Sequence, residues 1–307
     1  GGGAPRPARI APGPRGSRPR ALAPARVPRY APASMQPYET LTETEWTQVE
    51  RIHDLIDEGE LEEARTALET LARRRPGHPD LRVVDATIAL EEGEPAAALA
   101  ALQGAERSAD PAQFFFLRAA ALYDLVRFDE ARADADRAIA VHPDFAHAHD
   151  LRSRILDHLG DEEGAANAAE EAASLDADAF PLPLPVADED FDALVGRAVE
   201  ELPAPIRRKL EELPVIVQAL PTREMLTGDE PPLTPDLLGL FVGPHIFARH
   251  PGAPAGAPGA IFLFRKNLLR ACADKDELAR EVRITVQHEV GHLMGLDEDE
   301  LEDWGLG

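Results

Sequence analysis

The 307-residue chain has one cysteine, Cys272, so it cannot close a disulfide within itself. That usage is the one expected of a reducing compartment, and the expected location is cytoplasmic. No run of about 18 apolar residues occurs, so no membrane span is expected. Aromatic residues make up only 5% against 44% hydrophobic residues overall. Alanine, leucine and valine must therefore fill the core, and side chains that small favour closely packed helices. Acid is missing from residues 1–34, which carry seven arginines and eight prolines. The rest of the chain has a net charge of −31. A body this acidic repels nucleic acid and anionic membranes, so neither is an expected partner.

Residues 1–34 also lack an apolar stretch long enough for a secretory signal, and their composition cannot build a core. They are expected to be disordered. The first methionine is Met35, where the sequence becomes ordinary. The expectation is that Met35 is the native start and that 1–34 is an over-extended or fused segment. A targeting leader or an anion-binding arm is the alternative.

From 44 to 179 the sequence reads as helical throughout. Gly59, Gly93, Val126 and Gly160 recur at spacings of 34, 33 and 34 residues. Each is followed five residues later by an alanine: Ala64, Ala98, Ala131 and Ala165. Twelve residues further on come Pro76, Asp110, Pro143 and Ala177. Glycine permits the left-handed turn between paired helices, alanine lets two helix axes approach, and proline ends or starts a helix. A period of this length with these residues resembles tetratricopeptide repeats, about four of them. The resemblance implies a surface for a peptide or protein partner. Phe114, Phe115 and Phe116 are read as inter-helix core rather than a ligand patch. His142, His147 and His149 straddle a proline turn and are read as solvated rather than as metal ligands.

Residues 180–187, with Pro181, Pro183 and Pro185, read as a stiff linker. Beyond it the pattern changes. Asp188 to Leu202 reads as a helix closed by Pro203, and Pro205 to Leu213 as a short second helix. Val215-Ile216-Val217, Leu238 to Val242 and Ala260 to Phe264 read as strands. The expected architecture is thus an all-α helical repeat domain followed by a small α+β domain over 188–307.

Asp274 with Glu277 three residues later forms a capping-box pattern. A long helix is expected from Lys275 to Met294, with an apolar stripe at Leu278, Val282, Thr285 or Val286, and Val290. His288 and His292 fall near its end at i,i+4, on one face, where two imidazoles can share a metal ion. Glu289 stands beside them, as the carboxylate of an H-E-x-x-H site must if it is to take a proton from water. A catalytic zinc ordinarily has three protein ligands and one open position. Gly295 can reverse the chain and return an acid to the metal. Glu298 and Asp297 are the candidates, with Glu300 able to supply a further ligand. His245 and His250 have no spacing argument behind them.

Residues 188–305 resemble the small bacterial zincin-like metallopeptidases sometimes called minimal metalloproteases. The matching text is Leu238 to Gly243, Ile261 to Leu268, Glu281 to His292, and Gly295 to Glu298. The resemblance implies Zn2+ bound by His288, His292 and an acid in the glycine-bounded segment. Glu298 stands where the family usually has Asp. It also implies hydrolysis of peptide bonds with Glu289 as general base, and recruitment of a substrate or partner by the repeats. The strand around Ala260 to Phe264 is expected to pair with an extended substrate. The sequence names no oxyanion stabiliser; Arg265 or His245 could serve, but a solvated or structural role is the expected one for each. The alternative is a non-enzymatic peptide-binding adaptor whose zinc site is structural.

Overall fold

The computed structural model describes residues 39–106, 108–210, 213–228, 231–242 and 259–294. The chain divides into two compact units at Leu182 and Pro183. Residues 1–34 lie outside the described residues.

The first unit is a stack of four helix pairs: α1 (Glu43–Asp57) with α2 (Leu61–Arg74), α3 (Pro79–Glu91) with α4 (Pro95–Leu102), α5 (Pro111–Asp124) with α6 (Phe128–Val141), and α7 (Ala146–His158) with α8 (Glu162–Leu175). Each helix packs mainly on its partner and on the next pair. The four turns are built alike. Gly59, Gly93, Val126 and Gly160 all have positive φ, and Val126 is the only non-glycine residue to do so among the described residues. At each turn the following N–H reaches back five residues: Glu60 to Leu55, Glu94 to Ala89, Arg127 to Leu122 and Asp161 to Leu156, all at 2.8–3.0 Å. This is the Schellman closure, in which a left-handed residue lets orphan carbonyls find donors. Ala64, Ala98, Ala131 and Ala165 are buried where the helices cross.

Two details differ from the expectation. Helix α4 is short, because Gly104 (φ 83°) breaks it well before Asp110, which instead caps α5 through Gln113 N. The histidines are only partly solvated. His142 is exposed, but His147 sits at ring distances of 4.8–6.0 Å from Phe116, Phe145 and Phe180. His149 Nε2 lies 2.8 Å from Pro143 O. Phe114 and Phe116 are core, while the half-buried Phe115 lies under Arg118 and Arg137.

The second unit contains α9 (Asp188–Glu200), α10 (Ala204–Leu210), β1 (Val215–Gln218), α11 (Arg223–Leu226), β2 (Gly239–Val242), β3 (Ala260–Phe264), α12 (Arg265–Ala271) and α13 (Lys275–Met294). Leu184 and Val186 of the proline-rich stretch pack on its core, and Leu184 N donates to Leu269 O at 2.9 Å. The three strands order as β1-β3-β2, with β1 parallel and β2 antiparallel to β3. Strand alternation separates two cores. Ile261, Leu263 and Phe241 join α9, α12 and α13 on one face. Leu240, Val242 and Phe264 join Met225, Leu233 and Leu237 on the other. The short helices α11 and α12 carry too few turns for a helical period to show in the sequence.

Candidate metal centre

Helix α13 starts where the capping pattern puts it. Asp274 Oδ1 accepts from Asp276 N and Glu277 N at 2.9 and 2.8 Å. Glu277 Oε2 reaches back to Ala273 N at 2.6 Å, one residue before the cap. Leu278, Val282, Val286 and Val290 are at most 1% exposed, so the stripe that orients the helix is the expected one. This places His288 in a buried position and leaves Glu289 half-buried beside it. His292 lies one turn further on in the same helix.

What holds Glu289 comes from the sheet. Its Oε2 accepts a hydrogen bond from Phe241 N at 2.7 Å. In an antiparallel pair, alternate residues direct their N–H and C=O to the partner and away from it. Phe264 N donates to Leu238 O, so with the observed register Leu238, Leu240 and Val242 face β3 while Gly239 and Phe241 face outward. Among the described residues β2 is an edge strand, and Glu289 caps its outward-facing amide at Phe241.

The approach that makes this contact possible depends on Gly239. A Cβ there would lie 2.4 Å from Thr285 Cγ2 and 3.0 Å from Phe262 O. Only glycine lets α13 come this near β2.

One expectation is corrected. Strand β3 cannot take an extended substrate, because it is the central strand with both edges occupied; the edge beside Glu289 is β2. Arg265 is not near Glu289. It follows β3 at the opposite end from Ile261, the partner of Phe241, roughly 13 Å along the strand at about 3.3 Å per residue. There it pairs with Asp188. Among the described residues no group of three or more metal-binding side chains gathers. Asp297, Glu298, Glu300, His245 and His250 lie outside the described residues, and of the expected ligands the buried His288 is the one whose side-chain burial is described, with half-buried Glu289 beside it. Nitrogen and carboxylate donors at H-E-x-x-H spacing suit zinc.

The sequence carried a signal for the missed partner. Leu238-Gly239-Leu240-Phe241 puts a glycine inside an otherwise apolar strand, which marks a close backbone approach. It did not say that the neighbour would be α13.

A family model described as zincin-like metallopeptidase matches residues 210–306. A tetratricopeptide repeat model matches residues 49–113 and 116–180. The chain carries tetratricopeptide repeats followed by a zincin-like domain. The first match supports a peptidase reading of the second unit and the second a protein-interaction reading of the repeats. Comparison with curated proteins gives no match. No helix among the described residues is long and apolar enough to cross a membrane.

Proposed function

We propose that the zincin-like domain, residues 188–307, hydrolyses peptide bonds using zinc held by His288, His292 and Glu298, with Asp297 the rival for the third position. The observation that carries this reading is the carboxylate of Glu289, fixed to the outward amide of Phe241 at the end of a helix that also holds the buried His288. When bound, zinc supplies Lewis-acid polarisation of a carbonyl and acidifies water. The protein's own groups do the rest. A carboxylate positioned by a backbone amide can take up and deliver a proton. Glu289 takes a proton from water, the water oxygen bonds to the acyl carbon, and the C–N bond breaks as the proton passes to the leaving amine. The outward Gly239 backbone and the Phe241 carbonyl offer an extended peptide an edge to pair with, which sets the scissile bond near Glu289.

The repeats, on this reading, recruit the substrate or a partner. Deletion of 44–179 should then reduce cleavage of a native protein substrate. The chemistry is tested on the full chain by metal analysis and peptide cleavage. Glu289→Gln should keep zinc and lose hydrolysis by a factor of about 100 or more, the low end for loss of a general base. The double variant His288→Ala with His292→Ala should lose zinc. Zinc retained by that variant would overturn the reading.

A further inference from the structure

Among the described residues the sheet has a second open edge, on β1, far from Glu289. Ile261 N donates to Pro214 O, so in the parallel register Ile216 and Gln218 direct their backbone groups to β3. Val215 and Val217 therefore turn theirs outward. They face a cleft of about 720 Å³ whose walls include Val195 and Gly196 of α9, Leu210 of α10 and Leu213 beyond it. That volume is in the range of pockets that hold ligands, about 300–1,000 Å³. Edge strands are ordinarily blunted by charge, proline or a bulge. Val215-Ile216-Val217 has none of these, and Ile216 is 37% exposed.

The wall opposite the strand is also open where it need not be. Gly196 stands in the interior of α9, where glycine disfavours the helix. A Cβ added there would meet nothing within 4 Å. A helix-interior glycine facing a cleft leaves room for another backbone to come close. The rim is acidic. Asp188 pairs with Arg265, while Asp192, one turn along α9, has no ion-pair partner among the described residues.

We propose that this cleft is a peptide-binding groove, distinct from the candidate metal centre, which takes an extended basic segment as an added strand on β1. Val215 and Val217 supply the backbone hydrogen bonds, the floor of valines and leucines takes alternate side chains, and Asp192 takes a cation.

The proposal does not rest on hydrolysis and is tested in the Glu289→Gln full chain, where the probe stays intact. The probe is the capped peptide Ac-Val-Arg-Val-Arg-Val-NH2, with calorimetry as the readout. Saturable binding is expected. Gly196→Phe adds a ring on the wall of the cleft and should abolish binding, whereas Gly196→Ala, whose Cβ meets nothing within 4 Å, should retain it. Val217→Pro removes an outward N–H while sparing the ladder, since proline is tolerated at such edge positions. It should weaken binding by roughly tenfold, the value of a hydrogen bond or so. Unchanged thermal melting of Val217→Pro keeps the test readable should Gly196→Phe fail to fold. The proposal is overturned by absence of binding, by binding indifferent to both variants, or by equal binding of the glutamate analogue of the probe. A concentration-dependent dimer broken by Val217→Pro would also overturn it, by making a second copy the occupant.

Discussion

The repeat unit and the zincin-like unit are stabilised over different distances along the chain. In the repeats, each helix packs on a neighbour in sequence, and each turn closes on itself through a left-handed residue and a bond five residues back. In the zincin-like unit, the contact that defines the candidate site joins residues 48 apart, Phe241 and Glu289. The β1–β3 pair of the same sheet spans a similar range. The first unit can lose one turn and keep its plan. The second depends on a single crossing of α13 over β2, and that crossing depends on Gly239.

The largest expected effect follows from that dependence. Gly239→Val places a branched side chain against Thr285 and the Phe262 carbonyl. Over-packing of this kind destabilises by up to about 3 kcal/mol. The loss should be confined to the second unit in hydrogen exchange, with 43–175 unaffected. Thr285→Ser removes the colliding Cγ2 and should recover part of the loss in a double-mutant cycle. Additive effects would show that α13 does not rest on Gly239.

The matching break in the repeats is electrostatic. Asp134 has a side chain only 4% exposed, and it is gripped by Arg118 at 2.6 and 2.7 Å with Arg137 adding a third contact. Arg118→Ala leaves that carboxylate buried with one largely exposed partner. A destabilisation of about 2 kcal/mol is expected, below the usual figure for a fully buried pair because Arg118 is itself partly exposed. Adding Asp134→Asn should recover much of it. A loss that Asp134→Asn fails to reduce would mean that packing of Arg118 on Phe114 and Phe115, not charge, is what matters.

A smaller effect tests whether the turns are equivalent. The Cβ of Gly93→Ala meets no atom within 4 Å, so its penalty is conformational, about 1–2 kcal/mol for an L residue at positive φ. Val126→Gly removes the same strain but also withdraws a buried side chain. The two terms are of similar size, and the net change should lie within about 1 kcal/mol. Thermal unfolding of the two variants decides it. Equal losses would mean that Val126 is held by its burial alone.

These contrasts explain what could be read from the residues alone. The repeat period, the four turn positions and the crossing alanines are local features, and a periodic sequence displays them directly. So does α13, whose cap and apolar stripe lie within one segment. The order of the strands is not local. Ala260 to Phe264 comes before the site helix in sequence, and that position points to it as the substrate strand although it is central in the sheet. Strand β2 was recognised as a strand, but nothing in Gly239 to Val242 marks it as an edge. The Phe241–Glu289 bond belongs to the backbone of one segment and the side chain of another, which no motif records.

Acid titration should separate the two units by sign. In the repeats, Glu45 is held at about 2 by hydrogen bonds from the Arg75 guanidinium and the Thr42 backbone N–H. Its folded value lies below its unfolded one, so its contribution is present above the ordinary carboxylate pKa of about 4.3 and is lost as pH falls toward 2. In α13, burial and then the charge of Glu277 raise the pKa of Glu281. The folded unit binds more protons than the unfolded chain, so this contribution is present below the ordinary pKa and is lost as pH rises through the raised value. Glu45→Gln should therefore destabilise the repeats near neutral pH, with the difference closing toward pH 2. Glu281→Gln should stabilise the zincin-like unit near neutral pH, with the difference closing below about pH 4, where both carboxyls are protonated. Thermal unfolding of each variant against the parent across this range reads both. The Glu281 effect is the smaller, since the side chain keeps partial access to water. If the two variants shift stability in the same direction at neutral pH, Glu281 has a cation nearby that outweighs its burial, and α13 meets its neighbours through charge as well as through the Gly239 crossing.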